Sequence, residues 1–467
     1  MYFKKILLLV VITALLPNLY AQHNEDKQAK DSTSIAAILR GGKFEGHMRT
    51  YAMATTNKAK LSDYHALALG GGIHYESPIF FKHLSFEMGG MFIFNVKSSD
   101  LGVPDSTTQV KDRYEIALFD LENPQNKKDL DRMDEFNLRF HVNKKSKLTF
   151  GRQVINSPLI NPQDGRMRPS MMSGAWFLVN EWQNTSLQGG WLWAAAPRST
   201  VRWFSAAESI GVYNNGVNRD GSKSTYFMNL DSKGVFVLGL KSKISPNFNI
   251  NAWNYTIENI NNTAFLQTDF EHPLSKNDLK LKASAQIIRQ DALHEGGNAD
   301  PKKAYVVQGS HTWIYGARVG FSYKKSQVFA NYTRITADGR FTFPREWGRD
   351  PLLTFMQRER NEGAGNVKAM NLTFTQNSLD NQMQTFVGLG YYKMPKVTDF
   401  KMNKYGLPSY IQLNLSLKYR FKGIFKNLES EFLMVHKWNK GDLYNNEKYR
   451  INKVDMTNWN WIMNYRF

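Results

Sequence analysis

The sequence predicts an all-β protein: a transmembrane antiparallel β-barrel of 18 strands with one loop folded into its interior. Three observations predict this fold class. Apolar and polar residues alternate with a period of two along many stretches of the chain, which is typical of strands with one apolar face. Several stretches reach about 11 residues, the length that crosses a bilayer as a tilted strand. Aromatic residues gather at the ends of these stretches, where lipid headgroups would hold them.

The first 21 residues are predicted to be a secretory signal peptide. Two lysines and a short apolar run precede Pro17, and Ala21 is a small residue at the expected cleavage position. The apolar run is too short to cross a bilayer as a helix, which disfavours a membrane anchor. We therefore expect an exported protein in which residues 22–41 form a periplasmic segment and residues 42–467 form the barrel.

The rest of the composition excludes several classes of protein. No later stretch reaches the ~20 consecutive apolar residues of a spanning helix, which excludes a helical inner-membrane transporter. The chain has 0 cysteines. Disulfides, thiol catalysis and cysteine metal sites are therefore excluded too.

The stretch "YIQLNLSLKYRF" shows the strand pattern clearly. Ile411, Leu413 and Leu415 fall on one face of a strand, and Gln412 and Asn414 fall on the other. A helix would repeat its apolar positions every three or four residues instead. A soluble β-sandwich also predicts alternation, but its strands are usually about 5 or 6 residues long.

The same pattern predicts the full set of strands. In chain order the predicted strands lie near 43–56, 62–77, 82–96, 132–143, 146–153, 173–183, 186–196, 234–244, 247–258, 262–271, 278–290, 313–324, 327–336, 367–377, 382–393, 409–421, 428–438 and 456–467. Their register is open near 186–196 and 327–336, where a β-bulge would change which residues face inward.

The connections between these strands alternate in length. Long ones lie near 97–131, 197–233, 291–312 and 337–366, and short turns separate them. Outer-membrane barrels place short turns in the periplasm and long loops outside. A barrel of 18 strands is too wide for its own side chains to fill, so we expect a water-filled channel that inward-folded loops constrict.

The stretch "SPLINPQDGRMRPS", residues 157–170, is the candidate for such a loop. Its prolines stiffen the backbone, and Asp164, Arg166 and Arg168 could face water and solute at a pore constriction. From these residues alone, an outward surface loop is an equally good interpretation.

This region resembles the OprD family of outer-membrane porins. The resemblance lies in "LTFGRQVINSPLINPQDGRMRPSMMSGAWF", where a strand that ends in Gly-Arg-Gln leads into a proline-bearing loop with Arg166 and Pro169. It implies a substrate-preferring diffusion channel that is narrowed by its third loop and often by another, with a ladder of basic residues on the wall. The segment "NPQDG" has no close counterpart in the family.

A basic lumen wall is predicted from the strand pattern and from the net charge of +19. A charge on the lipid face costs ~2 to 4 kcal/mol at mid-strand, so basic residues on polar faces should point inward. These residues are Arg49, Arg139, Lys280, Lys282, Arg318, Lys418, Arg420 and Arg466. The predicted inward acids are fewer: Glu45, Glu87, Glu135 and Glu431. We therefore expect a positive lumen that favours anions or carboxylate-bearing solutes.

Other motifs are weak. The glycines at 70–72 lack the residues of a phosphate loop and predict only a bend within a strand. The histidines show no ligand spacing, and no nucleophile elbow occurs. We expect no catalytic residue, no metal and no cofactor, and export argues against nucleic-acid binding.

The sequence as a whole predicts a porin for passive diffusion of small hydrophilic solutes in the outer membrane of a Gram-negative bacterium. Its expected partners are those solutes, outer-membrane lipid and the barrel-assembly machinery, which would recognise the last strand and Phe467. We expect a monomer or a loose homo-oligomer. The alternative is a surface adhesin or receptor barrel that binds external partners through its long loops, above all 197–233 and 337–366.

Overall fold

The computed structural model describes residues 39–58, 60–163, 165–274 and 278–467. The expected signal peptide, most of the expected periplasmic segment and Asp164 lie outside them.

The described residues from Lys43 onward form one closed antiparallel barrel of 18 strands. The ring closes where the first strand pairs with the last, with Thr50 opposite Met463. The strands are β1 Lys43–Thr56, β2 Tyr64–Glu76, β3 Leu84–Ser98, β4 Arg132–His141, β5 Lys147–Gln153, β6 Met171–Val179, β7 Thr185–Ala196, β8 Val235–Ser245, β9 Phe248–Ile257, β10 Asn261–Pro273, β11 Leu279–Ala292, β12 His311–Tyr323, β13 Ser326–Ile335, β14 Val367–Ser378, β15 Met383–Lys393, β16 Tyr410–Arg420, β17 Leu428–Asn439 and β18 Met456–Arg466.

Helical structure in the described residues is slight. One α-helical turn, Ala206–Ser209, is capped by Ser205 and Glu208 and follows a two-residue strand, Phe204–Ser205, beside β7. Three 3₁₀ turns also occur: Ile116–Leu118, Gly423–Phe425 and Glu447–Tyr449. No helix within the described ranges has the length and apolar character needed to cross a membrane.

The period-two pattern places apolar side chains outside and polar ones inside. In β4, Phe136, Leu138 and Phe140 are exposed on the outer face, while Asn137 and Arg139 point inward and are hydrogen bonded there. The predicted fold class is confirmed.

Each predicted strand has a counterpart, and the largest boundary difference lies at the end of β6. The pattern predicts a strand to 183, but β6 ends at Val179. Ser146 explains the difference, because its hydroxyl accepts from the Asn180 backbone N–H and donates to the Glu181 carboxylate. These bonds turn the chain early.

The sequence leaves the register open near 186–196 and 327–336, and the structure shows a bulge in the first segment but not in the second. Opposite β6, β7 contains a bulge at Trp193, because Gly174 pairs with Leu192 and Ser173 pairs with Ala194. Strand β13 pairs with both neighbours without interruption. The bulge changes which β7 side chains face inward near its end.

The connections at the two ends of the barrel differ as predicted. Short turns join the strands at the end where β1 begins, and the loops at the opposite end, named here L1 to L9, are longer except for L1 and L5. The loops are L1 57–63, L2 99–131, L3 154–170, L4 197–234, L5 258–260, L6 293–310, L7 336–366, L8 394–409 and L9 440–455.

The hydrophobic core lies inside the barrel, toward the loop end. One cluster packs residues of L7, including Phe341 and Trp347, against Tyr255 and Tyr410 of the wall. A second cluster joins L2 to β1, β2 and β18. Because the loops bury apolar side chains in the lumen, they narrow the channel from within.

Candidate functional site

Loop L7 runs through the interior of the barrel. Backbone carbonyls between Pro351 and Arg358 accept hydrogen bonds from lumen-facing side chains of six strands. The donors are Gln286 to Pro351 at 2.9 Å, Arg318 to Leu353 at 3.0 Å, Asn371 and Tyr392 to Thr354 at 2.6 and 2.9 Å, Gln412 and Asn414 to Gln357 at 2.8 and 3.1 Å, and Lys437 to Arg358 at 2.5 Å. Buried carbonyls need such partners, so the wall fixes the course of the loop.

The Arg358 side chain holds L7 to the seam where the barrel closes. Its Nε donates to Asn458 at 2.9 Å, and its Nη2 donates to Tyr51 at 3.0 Å and Asn460 at 2.6 Å. These partners belong to β1 and β18. L7 therefore contacts the wall from β11 round to β1.

Loop L3 folds inward and meets L7. The Asn161 backbone N–H donates to the Trp347 carbonyl at 3.0 Å, and the Asn161 amide donates to the Arg349 carbonyl at 3.1 Å. Glycine is required at 348, since a Cβ there would lie 2.8 Å from the Asn161 backbone nitrogen. The two loops therefore meet inside the barrel, where the sequence predicts a pore constriction.

The other side of L3 rests on the wall. A Cβ at Gly70 would lie 3.0 Å from the Met167 side chain, so the glycine makes room for this loop. Residues 70–72 keep regular strand pairing, and the predicted bend is absent. Arg49 donates to the carbonyls of Gly165 and Arg166, which fixes the far end of L3.

A cavity lies between the loops. Seven arginines surround it together with two acids and two aromatic rings. The lining residues are Arg113 and Tyr114 of L2, Arg166 of L3, Arg198 of L4, and Arg345, Gly348, Arg349, Asp350, Phe355, Arg358, Glu359 and Arg360 of L7.

The acids of the cavity only partly offset its arginines. Burial raises the pKa of Glu359 well above its usual range, with Asp350 adding to the effect. Burial and nearby Glu362 raise the pKa of Asp350 to about 6. Arginine side chains stay protonated in proteins. The constriction therefore carries a positive charge near neutral pH.

The sequence-predicted constriction residues take different positions. Arg166 lines the cavity. Arg168 is 2% exposed and donates to the Leu130 carbonyl, which links L3 to L2. Asp164 lies outside the described residues.

The eight predicted wall residues share the lumen face, but most have partners there. Five form ion pairs: Arg139 with Glu76 and Glu87, Lys280 and Lys282 with Glu271, Lys418 with Glu429 and Glu431, and Arg420 with Glu429. Arg49 and Arg318 hold L3 and L7 instead. Arg466 lies near the short-turn end, on the strand face that also carries Asn460. The net positive charge of the wall is therefore smaller than the sequence predicts, because acidic residues neutralise most of these basic side chains.

Sequence reasoning missed most of the arginines around the cavity. The signal was present in L7, where "FPREWGRDP" combines proline, glycine and arginine as L3 does. This composition is shared by L3 and L7, the two stiff, polar loops that enter the lumen. Arg113 and Arg198 carry no such local signal, since only the folded loops bring them to the cavity.

A family model described as "outer membrane porin, OprD family" matches residues 108–390, more than half of the chain. No curated protein sequence matches.

Several solved structures share the fold at low identity. Pseudomonas aeruginosa OccK9 (OpdG) has a TM-score of 0.70 at 13% identity, over 92% of this chain and 99% of that one. Pseudomonas aeruginosa OpdK, solved with vanillate, has a TM-score of 0.69 at 12% identity over the same shares. Acinetobacter baumannii OccAB1 has a TM-score of 0.68 at 13% identity, over 95% of this chain and 99% of that one.

Proposed function

Since this chain belongs to the OprD family of outer-membrane porins, we propose that it passes small hydrophilic anions, in particular solutes with a carboxylate, by passive and partly selective diffusion. Movement would follow the concentration gradient, without chemistry at the site.

The observation that carries the proposal is the set of seven arginines around the constriction cavity. Guanidinium groups match carboxylate oxygens in geometry and charge. Within a low-dielectric wall, fixed positive charge raises the local anion concentration and slows cations. The cavity lies where L3 and L7 meet, so a solute that crosses the barrel would pass close to these arginines.

A structural relative offers further support. OpdK was solved with vanillate, which is an aromatic carboxylate. The cavity of this chain offers such a solute guanidinium groups for its carboxylate and the rings of Tyr114 and Phe355 for its aromatic ring.

Reversal potentials in planar bilayers under a KCl gradient test the charge preference. We expect the sign of an anion-selective channel. Arg113→Gln combined with Arg360→Gln should lower the chloride-to-potassium permeability ratio several-fold, because both side chains line the cavity. Arg202→Gln is the matched control, since Arg202 is exposed and paired with Glu122 at 2.6 Å. Cation selectivity in the wild-type protein would overturn the proposal.

Liposome swelling tests the solute class. Small monocarboxylates should enter faster than neutral sugars of similar size, and the double arginine variant should narrow this difference. A barrel that serves as an adhesin or receptor would admit neither solute.

We also propose export through a signal peptide cleaved after Ala21, and assembly through recognition of β18 and Phe467. The pairing of Phe467 with Gly46, at 2.8 and 2.9 Å, places this residue in the closing seam. A monomer or loose homo-oligomer is the expected state.

A further inference from the structure

Three ligand-type side chains converge on the lumen face of β2, β3 and β4. His74 Nε2 lies 2.9 Å from Glu87 Oε1 and 3.2 Å from Glu135 Oε2. The three candidate ligand atoms lie within 4.8 Å of one another. The cluster is near the short-turn end of the barrel, because β2 ends two residues later at Glu76. None of its members lines the arginine cavity.

A glycine makes this convergence geometrically possible. His74 and Glu135 sit on strands that flank β3, and both pair with Gly89 in the sheet register. A Cβ at Gly89 would lie 3.2 Å from both Glu135 Oε2 and His74 Cδ2. Any larger residue would fill the space over which the imidazole and the carboxylate meet.

The Glu87 carboxylate is oriented by its neighbours. Its Oε2 accepts from Asn137 Nδ2 at 3.0 Å and from the Arg139 guanidinium. This leaves Oε1 directed at the imidazole. Supporting hydrogen bonds of this kind are typical of metal sites, where a second layer of residues fixes the carboxylate ligand.

The distances suit a metal ion. With bonds of ~2.0 to 2.2 Å, neighbouring ligand atoms around one ion lie about 2.8 to 3.1 Å apart in octahedral geometry and about 3.3 to 3.6 Å apart in tetrahedral geometry. Both contacts of His74 Nε2 fall in that range. We propose that His74, Glu87 and Glu135 bind a divalent first-row transition-metal ion on the inner wall of the channel. One imidazole and two carboxylates favour such ions over Mg²⁺ or Ca²⁺, which prefer oxygen ligands alone.

The site borders solvent, since the side chains of His74 and Glu135 are 24% and 21% exposed, although the His74 Nε2 atom itself is buried. The remaining coordination positions would be open to water in the lumen. The site is independent of the proposed anion preference, because its residues belong to a different part of the barrel.

Zinc titration of the chelator-treated, detergent-purified barrel tests the proposal, with heat released by binding as the readout. We expect one Zn²⁺ per chain with a dissociation constant in the micromolar range or below. His74→Ala and Glu135→Gln should each weaken binding by about 100-fold or more, since removal of a ligand should cost at least as much as loss of a supporting residue. Co²⁺ absorption gives a second readout, because its visible bands should appear only when the imidazole ligand is present.

The controls separate a built site from surface binding. His65→Ala is the matched control, since His65 lies on the same strand but is exposed on the opposite face; it should bind Zn²⁺ as the wild-type protein does. Circular dichroism and heat-modifiable gel mobility establish that each variant is folded. If the folded wild-type protein takes up no Zn²⁺ saturably, or if both ligand variants bind as before, the cluster is an ion-pair network and the proposal fails. Equal affinity for Ca²⁺ that survives His74→Ala would also contradict it.

Discussion

At the scale of single residues, the acids of the constriction make its charge depend on pH. Glu359 has no hydrogen bond to either carboxylate oxygen among the described residues, and burial raises its pKa well above the usual range. Its carboxyl group is therefore less readily ionised than that of an ordinary glutamate. Asp350 differs, because its pKa of about 6 leaves it ionised at pH 7 and neutral at pH 5.

We expect the anion preference of the channel to rise when the pH falls from 7 to 5. Burial and Glu362 raise the pKa of Asp350 to about 6, with Arg360 opposing them, so protonation in this window removes a negative charge from the cavity. Reversal potentials at the two pH values measure the effect. Asp350→Asn should show the high anion preference at both pH values. Asp300→Asn, an exposed change in L6, is the control, and its anion preference should change with pH as that of the wild-type protein does. If the chloride-to-potassium permeability ratio of the wild-type protein is the same at pH 7 and pH 5, Asp350 does not control the anion preference in this pH range.

Single residues also show where sequence reasoning stops. Alternation along a strand was enough to place Lys418 and Arg139 on the lumen face. It could not show that Glu429 or Glu76 would neutralise them, because those partners lie on other strands. The ligand-type cluster at His74 is hidden for the same reason, since its members come from three strands.

At the scale of elements, L3 and L7 depend on each other. Neither contains a regular helix or strand among its described residues, and they share hydrogen bonds between Asn161 and the backbone of 347–349. The contact joins residues almost 190 positions apart. Each loop could be recognised as stiff and basic from its composition, but the partner of each could not, because the contact exists only after the barrel closes.

Gly348→Ala should separate the two loops and widen the channel. The new Cβ would lie 2.8 Å from the Asn161 backbone nitrogen, which cannot rotate away as a side chain could. We expect larger single-channel conductance and weaker discrimination between solutes, with the barrel still folded. Gly102→Ala controls for the loss of a loop glycine, since the atom nearest to a Cβ there is the end of the Gln125 side chain at 3.1 Å, which can move aside. Unchanged conductance in Gly348→Ala would show that this contact does not set the aperture.

At the scale of the whole molecule, the barrel has an apolar exterior and a lumen that is partly filled. The strands follow from the sequence because each crosses the membrane with the same period of two, and lipid outside and water inside impose that pattern on every one. The loops obey no such period. Their apolar residues, such as Trp347 and Phe341, pack inside the barrel rather than against a second sheet.

Neighbouring residues of β16 test this arrangement in lipid. Leu415 is exposed on the outer face at mid-strand, and Ser416 faces the lumen, where its hydroxyl donates to Glu431 at 3.1 Å. Leu415→Arg should lower the free energy of unfolding in phospholipid vesicles by ~2 to 4 kcal/mol, because it puts a charge into hydrocarbon. Ser416→Arg should cost much less, since the guanidinium meets water and the Glu431 carboxylate. Urea titrations followed by tryptophan fluorescence measure both. If both variants lost the same free energy of unfolding, the two positions would share one environment. That result would contradict a barrel with an apolar, lipid-facing exterior and a water-filled lumen.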